Sequence, residues 1–179
     1  MIRSKSTMLT QYVLDKTLFD HTDCVDSLKL LGNGDLVSAS WNNTIKIWNI
    51  STGEVKKTLR GHSASINDLK LLKNGDLASA SDDKTIQIWN TLTGKVKETL
   101  VGHTGYVYSL TVLEDGKLAS CSGDNSIIIW NVSNGQVSQT LKGHIDIVFD
   151  LLELDNGDLV SASKDQTIKI WKRKLIEIN

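Results

Sequence analysis

The chain has 179 residues, of which 40% are hydrophobic, with a formal net charge of −1; this is enough apolar material for the core of one domain, and the charge gives no basic field to favour nucleic acid or an anionic membrane. No apolar run approaches the length of a membrane span and the N-terminus has no continuous apolar region, so the expected setting is cytoplasmic, with a nuclear one as the alternative on the basic Lys172-Arg173-Lys174. Cys24 and Cys121 make no spaced framework and read as free thiols. Residues 1–11 form an extension, and a first strand is predicted over 13–19. Val25–Leu28 reads as the next strand, running into Asn33-Gly34, a dipeptide suited to a type I′ turn with positive φ at both central residues. Leu36–Ser40 leaves that turn, Asn42-Asn43 makes a second turn, and Thr44–Trp48 is rich in β-branched and aromatic side chains. Thr52-Gly53 then leads to a strand over Val55–Leu59.

The same signals return every forty-one residues, as His21, His62, His103 and His144 and as Trp48, Trp89, Trp130 and Trp171. Twelve columns are identical in all four copies: Thr17, Leu18, His21, Leu28, Leu31, Gly34, Leu36, Ser38, Ser40, Ile45, Ile47 and Trp48 in the first. The repeats fall at about 12–52, 53–93, 94–134 and 135–171, followed by a short tail, 172–179. Fixed self-similarity of this kind marks one supersecondary unit copied in series.

Gly61-His62, Gly102-His103 and Gly143-His144, each followed by an Asp turn and then by a Trp closing an Ile-x-Ile strand, resemble the WD-repeat β-propeller family. The resemblance spans about residues 12–171 and departs from the family pattern in two places: Asn or Lys follows each Trp, and Asp20-His21 replaces Gly-His. It implies an all-β fold of WD-repeat propeller blades, four four-stranded units per chain. It also implies that His, Ser, Asp and Trp of each unit form a buried structural network. These sets are His21, Ser38, Asn42 and Trp48; His62, Ser79, Asp83 and Trp89; His103, Ser120, Asp124 and Trp130; and His144, Ser161, Asp165 and Trp171. Asn42 stands where the others have Asp, so the first network is expected to be weaker.

Ser, His and Asp can also form a nucleophilic triad. Three copies joined to the same Trp speak for structure instead, and no unique titratable cluster, metal-ligand spacing or phosphate-cradling glycine loop accompanies them. No cofactor, metal or catalytic residue is therefore expected.

In a repeat array the identical columns carry the fold and the variable ones are free for recognition. Trp41 shares a column with Asp82, Gly123 and Lys164; nearby columns hold Tyr106 and Ile147, and Tyr108 and Phe149. Trp41, Tyr106, Tyr108, Ile147, Phe149, Asp82 and Lys164 are thus the candidate partner-binding residues, a set of aromatic anchors with charged neighbours. The alternative for Tyr and Phe is packing against neighbouring blades. The expected function is a non-catalytic scaffold binding a protein or peptide, with no nucleic acid and no membrane as partner. The rivals are a truncated segment of a larger receptor or scaffold, and an enzyme using the central face. The 13–19 strand is expected to complete the last blade of a ring, two chains making an eight-bladed homodimer; in the competing arrangement Leu175–Ile178 folds back as an outer strand.

Overall fold

The computed structural model describes residues 10–174. All regular structure there is β, in four antiparallel meanders. Blade 1 comprises β1 (Val25–Leu30), β2 (Leu36–Ser40), β3 (Thr44–Trp48) and β4 (Val55–Arg60). Blade 2 comprises β5 (Ile66–Leu71), β6 (Leu77–Ser81), β7 (Thr85–Asn90) and β8 (Lys95–Val101). Blade 3 comprises β9 (Val107–Val112), β10 (Leu118–Ser122), β11 (Ser126–Asn131) and β12 (Gln136–Lys142). Blade 4 has β13 (Val148–Glu153), β14 (Leu159–Ser163) and β15 (Ile168–Trp171). Strands pair in sequence order within each sheet.

The first turn of each blade differs from the type I′ expectation. Gly34 N–H donates to the Leu31 carbonyl at 2.9 Å, Leu31 N–H donates to the Asp35 carbonyl at 2.9 Å, and only Gly34 of the turn has positive φ, at 85°. This is a three-residue hairpin loop whose last residue is left-handed. Asn33 is occupied otherwise: its side chain accepts from Asp35 N–H at 3.1 Å and donates to the Asp35 carboxylate at 3.0 Å. The second turn places Asn43, Lys84, Asn125 and Gln166 at φ of 64° to 72°, a conformation that costs a non-glycine residue roughly 1 kcal/mol.

The core lies between blades. Blade 2 lays Ile66, Leu69 and Leu77 on Val37, Ala39, Ile45, Ile47 and Leu59 of blade 1. Equivalent clusters join blades 2 and 3 around Ile86, Ile88, Val107 and Leu110, and blades 3 and 4 around Ile127, Ile129, Val148 and Leu151. Strands covered on both faces read as near-continuous apolar or small-residue runs, which is why β6 (LASAS) and β10 (LASCS) are buried along their whole length.

Residues 13–19 differ from the strand expected there: they have no regular secondary structure, and blade 4 has three strands among the described residues rather than four. The segment lies by blade 1, where Lys16 Nζ donates to the carbonyls of Ile50 and Ser51 at 3.1 and 2.8 Å. The third-strand position left without a fourth strand beside it is β15, at the far end of the arc. Leu175–Ile178 lies outside the described residues.

Candidate functional site

Each blade is tied by one hydrogen-bond chain. In blade 2 the His62 ring has Nδ1 2.7 Å from Asp83 Oδ2 and Nε2 2.7 Å from Ser79 Oγ, which also accepts from Trp89 Nε1 at 2.8 Å. Blade 3 repeats this through His103, Asp124 (2.9 Å), Ser120 (2.8 Å) and Trp130 (2.8 Å). Blade 4 does so through His144, Asp165 (2.7 Å), Ser161 (2.8 Å) and Trp171 (2.9 Å). Burial works against the charged carboxylates of Asp83 and Asp124, but the histidine, the Thr85 or Ser126 hydroxyl and a backbone N–H all donate to them. The balance holds both well below the usual carboxylate range. Ser79, Ser120 and Ser161 are buried, so their hydroxyls are closed to any substrate a nucleophile would attack. Among the described residues no three His, Cys, Asp or Glu side chains converge as a metal site.

Blade 1 is wired differently. Asn42 Oδ1 accepts from Thr44 N–H at 3.2 Å and the Thr44 hydroxyl at 2.6 Å, so Asn42 Nδ2 is left to donate to His21 Nδ1 at 3.2 Å. The His21 proton must then sit on Nε2, donating to Ser38 Oγ at 2.7 Å, which is the opposite tautomer from the other blades. Asp20, in the glycine column, pairs with the buried Lys46. The other blades need glycine there: a Cβ at Gly102 would lie 2.8 Å from the Trp130 ring, and at Gly61 2.8 Å from Trp89.

A recess of about 420 Å³ opens on the loop side of blades 1 to 4, lined by Asp26, Trp41, Ser65, Asn67, Asp82, Tyr106, Tyr108 and Phe149. Trp41, Tyr106 and Phe149 are each about half exposed, at 46, 49 and 47%. The Trp41 ring is held in place, with Nε1 donating to Asp26 Oδ2 at 2.9 Å and its backbone N–H to the Cys24 carbonyl at 3.0 Å. Tyr108 stands between Tyr106 and Phe149 in edge-on contacts, ring centres 6.5 and 5.4 Å apart, and it also packs on the core shared by blades 3 and 4. Burial, then the nearby Asp82 carboxylate, pushes its phenol pKa up.

Of the residues singled out from sequence, the recess therefore gathers Trp41, Asp82, Tyr106, Tyr108 and Phe149. It does not gather Ile147 or Lys164. Ile147 is half-buried and gives its carbonyl to Lys164 N–H at 2.8 Å, while Lys164 Nζ leans to Asp146 at 3.8 Å. Asp26, Ser65 and Asn67 are additions. Asn67 bridges blades by donating to Asp82 Oδ1 at 2.7 Å and to the Val107 carbonyl at 2.9 Å; it shares the column of Tyr108 and Phe149, which is the signal that could have found it. The basic Lys172 and Arg173 are tied down, Lys172 Nζ to Asp158 at 2.7 Å and Arg173 to Glu114 at 3.0 Å. No helix among the described residues is long and apolar enough to cross a membrane.

The family described as "WD domain, G-beta repeat" matches residues 13–49, 53–90, 94–131 and 135–172. Among solved structures the chain is similar to the WD40 beta propeller domain of Doa1, with 36% identity and a TM-score of 0.77. That match covers 88% of this chain and 53% of the Doa1 chain, so the present chain spans about half the length of the structure it resembles. A search of curated proteins finds no match.

Proposed function

We propose that this chain, which belongs to the WD-repeat β-propeller family, is a non-catalytic scaffold that binds a protein or peptide in the recess around Trp41. The observation that carries the reading is the pinned but half-exposed Trp41 ring beside Tyr106, Tyr108 and Phe149. Rigid aromatic anchors contribute most to such interfaces because they bury large areas at little conformational cost. Asp26 and Asp82 line the same recess with no cationic partner among the described residues. A partner with a Lys or Arg side chain, set among apolar residues, suits that lining.

The test is a displayed peptide library sorted against the purified chain, followed by titration of the enriched peptides against wild type and Trp41→Ala. Enrichment of basic, apolar-flanked peptides is expected, with Trp41→Ala weakening them by about 1–3 kcal/mol, roughly five- to 150-fold, at unchanged circular dichroism. Equal affinity for the variant would remove Trp41 from the site. The setting we propose is cytoplasmic.

Two arrangements of the whole molecule fit this role. One is a homodimer whose two arcs close as an eight-bladed ring. The other is a segment of a larger receptor or scaffold, favoured by the span of about half of the Doa1 propeller.

A further inference from the structure

The two end faces of the arc are the unused halves of an interface that the molecule builds three times. Leu28 of blade 1 is 54% exposed, whereas its counterparts Leu69 and Leu110 are 0% exposed against the preceding blade. At the other end Ile168 is 73% exposed, whereas Ile86 is 0% exposed beneath the following blade. Val25 and Ile170 follow the same pattern. What covers these faces must therefore offer the surface of another blade of this type.

We infer that the cover is a second copy of this chain, seated head to tail at both ends, and that the N-terminal segment 13–19 of each copy completes blade 4 of the other. The inference rests on the homodimer reading and takes it down to contacts. The four blades superpose on part of a larger propeller, so they form an open arc rather than a closed four-bladed ring; eight blades would close with each turning by about 45°, where four would need about 90°. Two copies related by a two-fold axis supply that number with two identical junctions.

A polar chain across the blades selects an even ring. The first residue after the bulge in the inner strand is Ser27, Asp68, Ser109 and Asp150 in turn. The Asp68 carboxylate stands between two hydroxyls, Ser27 Oγ at 3.2 Å and Ser109 Oγ at 3.5 Å, and also accepts from Leu110 N–H at 3.0 Å. Asp150 has Ser109 on one side at 2.9 Å, and its other side faces the open end. Ser27 of a second copy would continue the alternation there, and Leu28 N–H would play the part of Leu110 N–H. An odd ring of such blades would break the alternation once, setting two hydroxyls or two carboxylates side by side.

The edge of β15 supplies the second contact. In blade 2, Ile86 pairs with Leu100, Gln87 with Thr99 and Trp89 with Val96. The equivalent pairs across two copies are Ile168 with Leu18, Lys169 with Thr17 and Trp171 with Leu14. Such pairing removes an exposed strand edge, the feature most prone to uncontrolled association.

The experiment uses the full chain in a Cys24→Ser background, because Cys24 is exposed and Cys121 buried. Light scattering is expected to give twice the 19.7 kDa chain mass. Leu28→Lys and Ile168→Lys, both at positions already exposed in one copy, should each give a folded monomer by circular dichroism. Thr17→Cys combined with Lys169→Cys should oxidise to a covalent dimer on a non-reducing gel. A monomeric wild type at high concentration would overturn the homodimer reading itself. A stable dimer unaffected by the two lysine variants, or without the inter-chain disulfide, would leave a dimer standing but overturn these contacts. A disulfide within one chain would overturn the second copy as the occupant of β15.

Discussion

A single side-chain amide sets the tautomer of one histidine. Burial, and then the charge of Lys46, push the pKa of His21 below its ordinary value of 6.5. Asp83 and Asp124 are instead held below their ordinary 3.8 by donors that outweigh burial. A folded-state pKa below the unfolded one means that the unfolded chain binds more protons between the two values, so stability is lost as pH falls through that window. His21 thus contributes a loss beginning near pH 6.5, and Asp83 and Asp124 a separate loss beginning near pH 3.8. Asn42→Asp should return the His21 proton to Nδ1 and give the ring a carboxylate partner. We predict that it raises stability at neutral pH by about 1 kcal/mol and abolishes the first loss. Thermal melts at pH 7 and pH 5.5, with nitrogen chemical shifts of His21 to report the tautomer, check this; an unchanged tautomer would remove the explanation.

Within a blade, the outer strands and the Gly-His turn are held apart by one indole. The turn before His103 passes so close to Trp130 that no side chain fits at Gly102 without movement, and Trp130 is fully buried and cannot give way. Gly102→Ala should therefore cost about 1–3 kcal/mol through overpacking. The matching Gly34→Ala is a different experiment: a Cβ there meets nothing within 4 Å, and only the φ of 85° is strained. A denaturant series on Gly102→Ala, with its midpoint falling and its slope kept, reads the packing cost directly; a wild-type midpoint would mean that the Trp130 ring has room to move. Asp20 in this column shows the one accommodation in the chain: the carboxylate meets the buried Lys46, where the other blades have Gln87, Ile128 and Lys169.

For the whole molecule, stability is distributed as in other repeat arrays, in nearest-neighbour interfaces rather than one central core. Blades 2 and 3 are each covered on two faces, and blades 1 and 4 on one. Hydrogen exchange should accordingly be slowest in β6, β7, β10 and β11 and fastest in β1, β14 and β15 when the chain is dilute. As concentration rises and a second copy covers the ends, protection in β1 and β15 should rise with it while β6 and β10 stay constant. Uniform protection at every dilution would show that the blades unfold as one unit. The recess spans blades 1 to 4, so its ring of aromatics depends on all three interfaces, and a ligand bound there should slow exchange across them together.

The repeat of forty-one residues determined, by itself, the number of units and the strand order within them, while the family resemblance carried by its motifs implied which side chains form each His-centred chain. Unit number and strand order are local or periodic properties: alternation, turn residues and a fixed spacing suffice to assign them. The identity of Trp41, Tyr106, Tyr108 and Phe149 as a group could also be read from variable columns. The tertiary structure alone decided that Ile147 and Lys164 stand apart from that group and that Asn67 belongs to it, because membership depends on how far each loop leans over its neighbour. It also decided the tautomer of His21, since one amide can present oxygen or nitrogen and only the Thr44 donors fix which. The state of residues 13–19 was likewise beyond sequence: a strand pattern specifies a willingness to pair, and the one blade that lacks its fourth strand among the described residues is blade 4, at the other end of the arc from this segment.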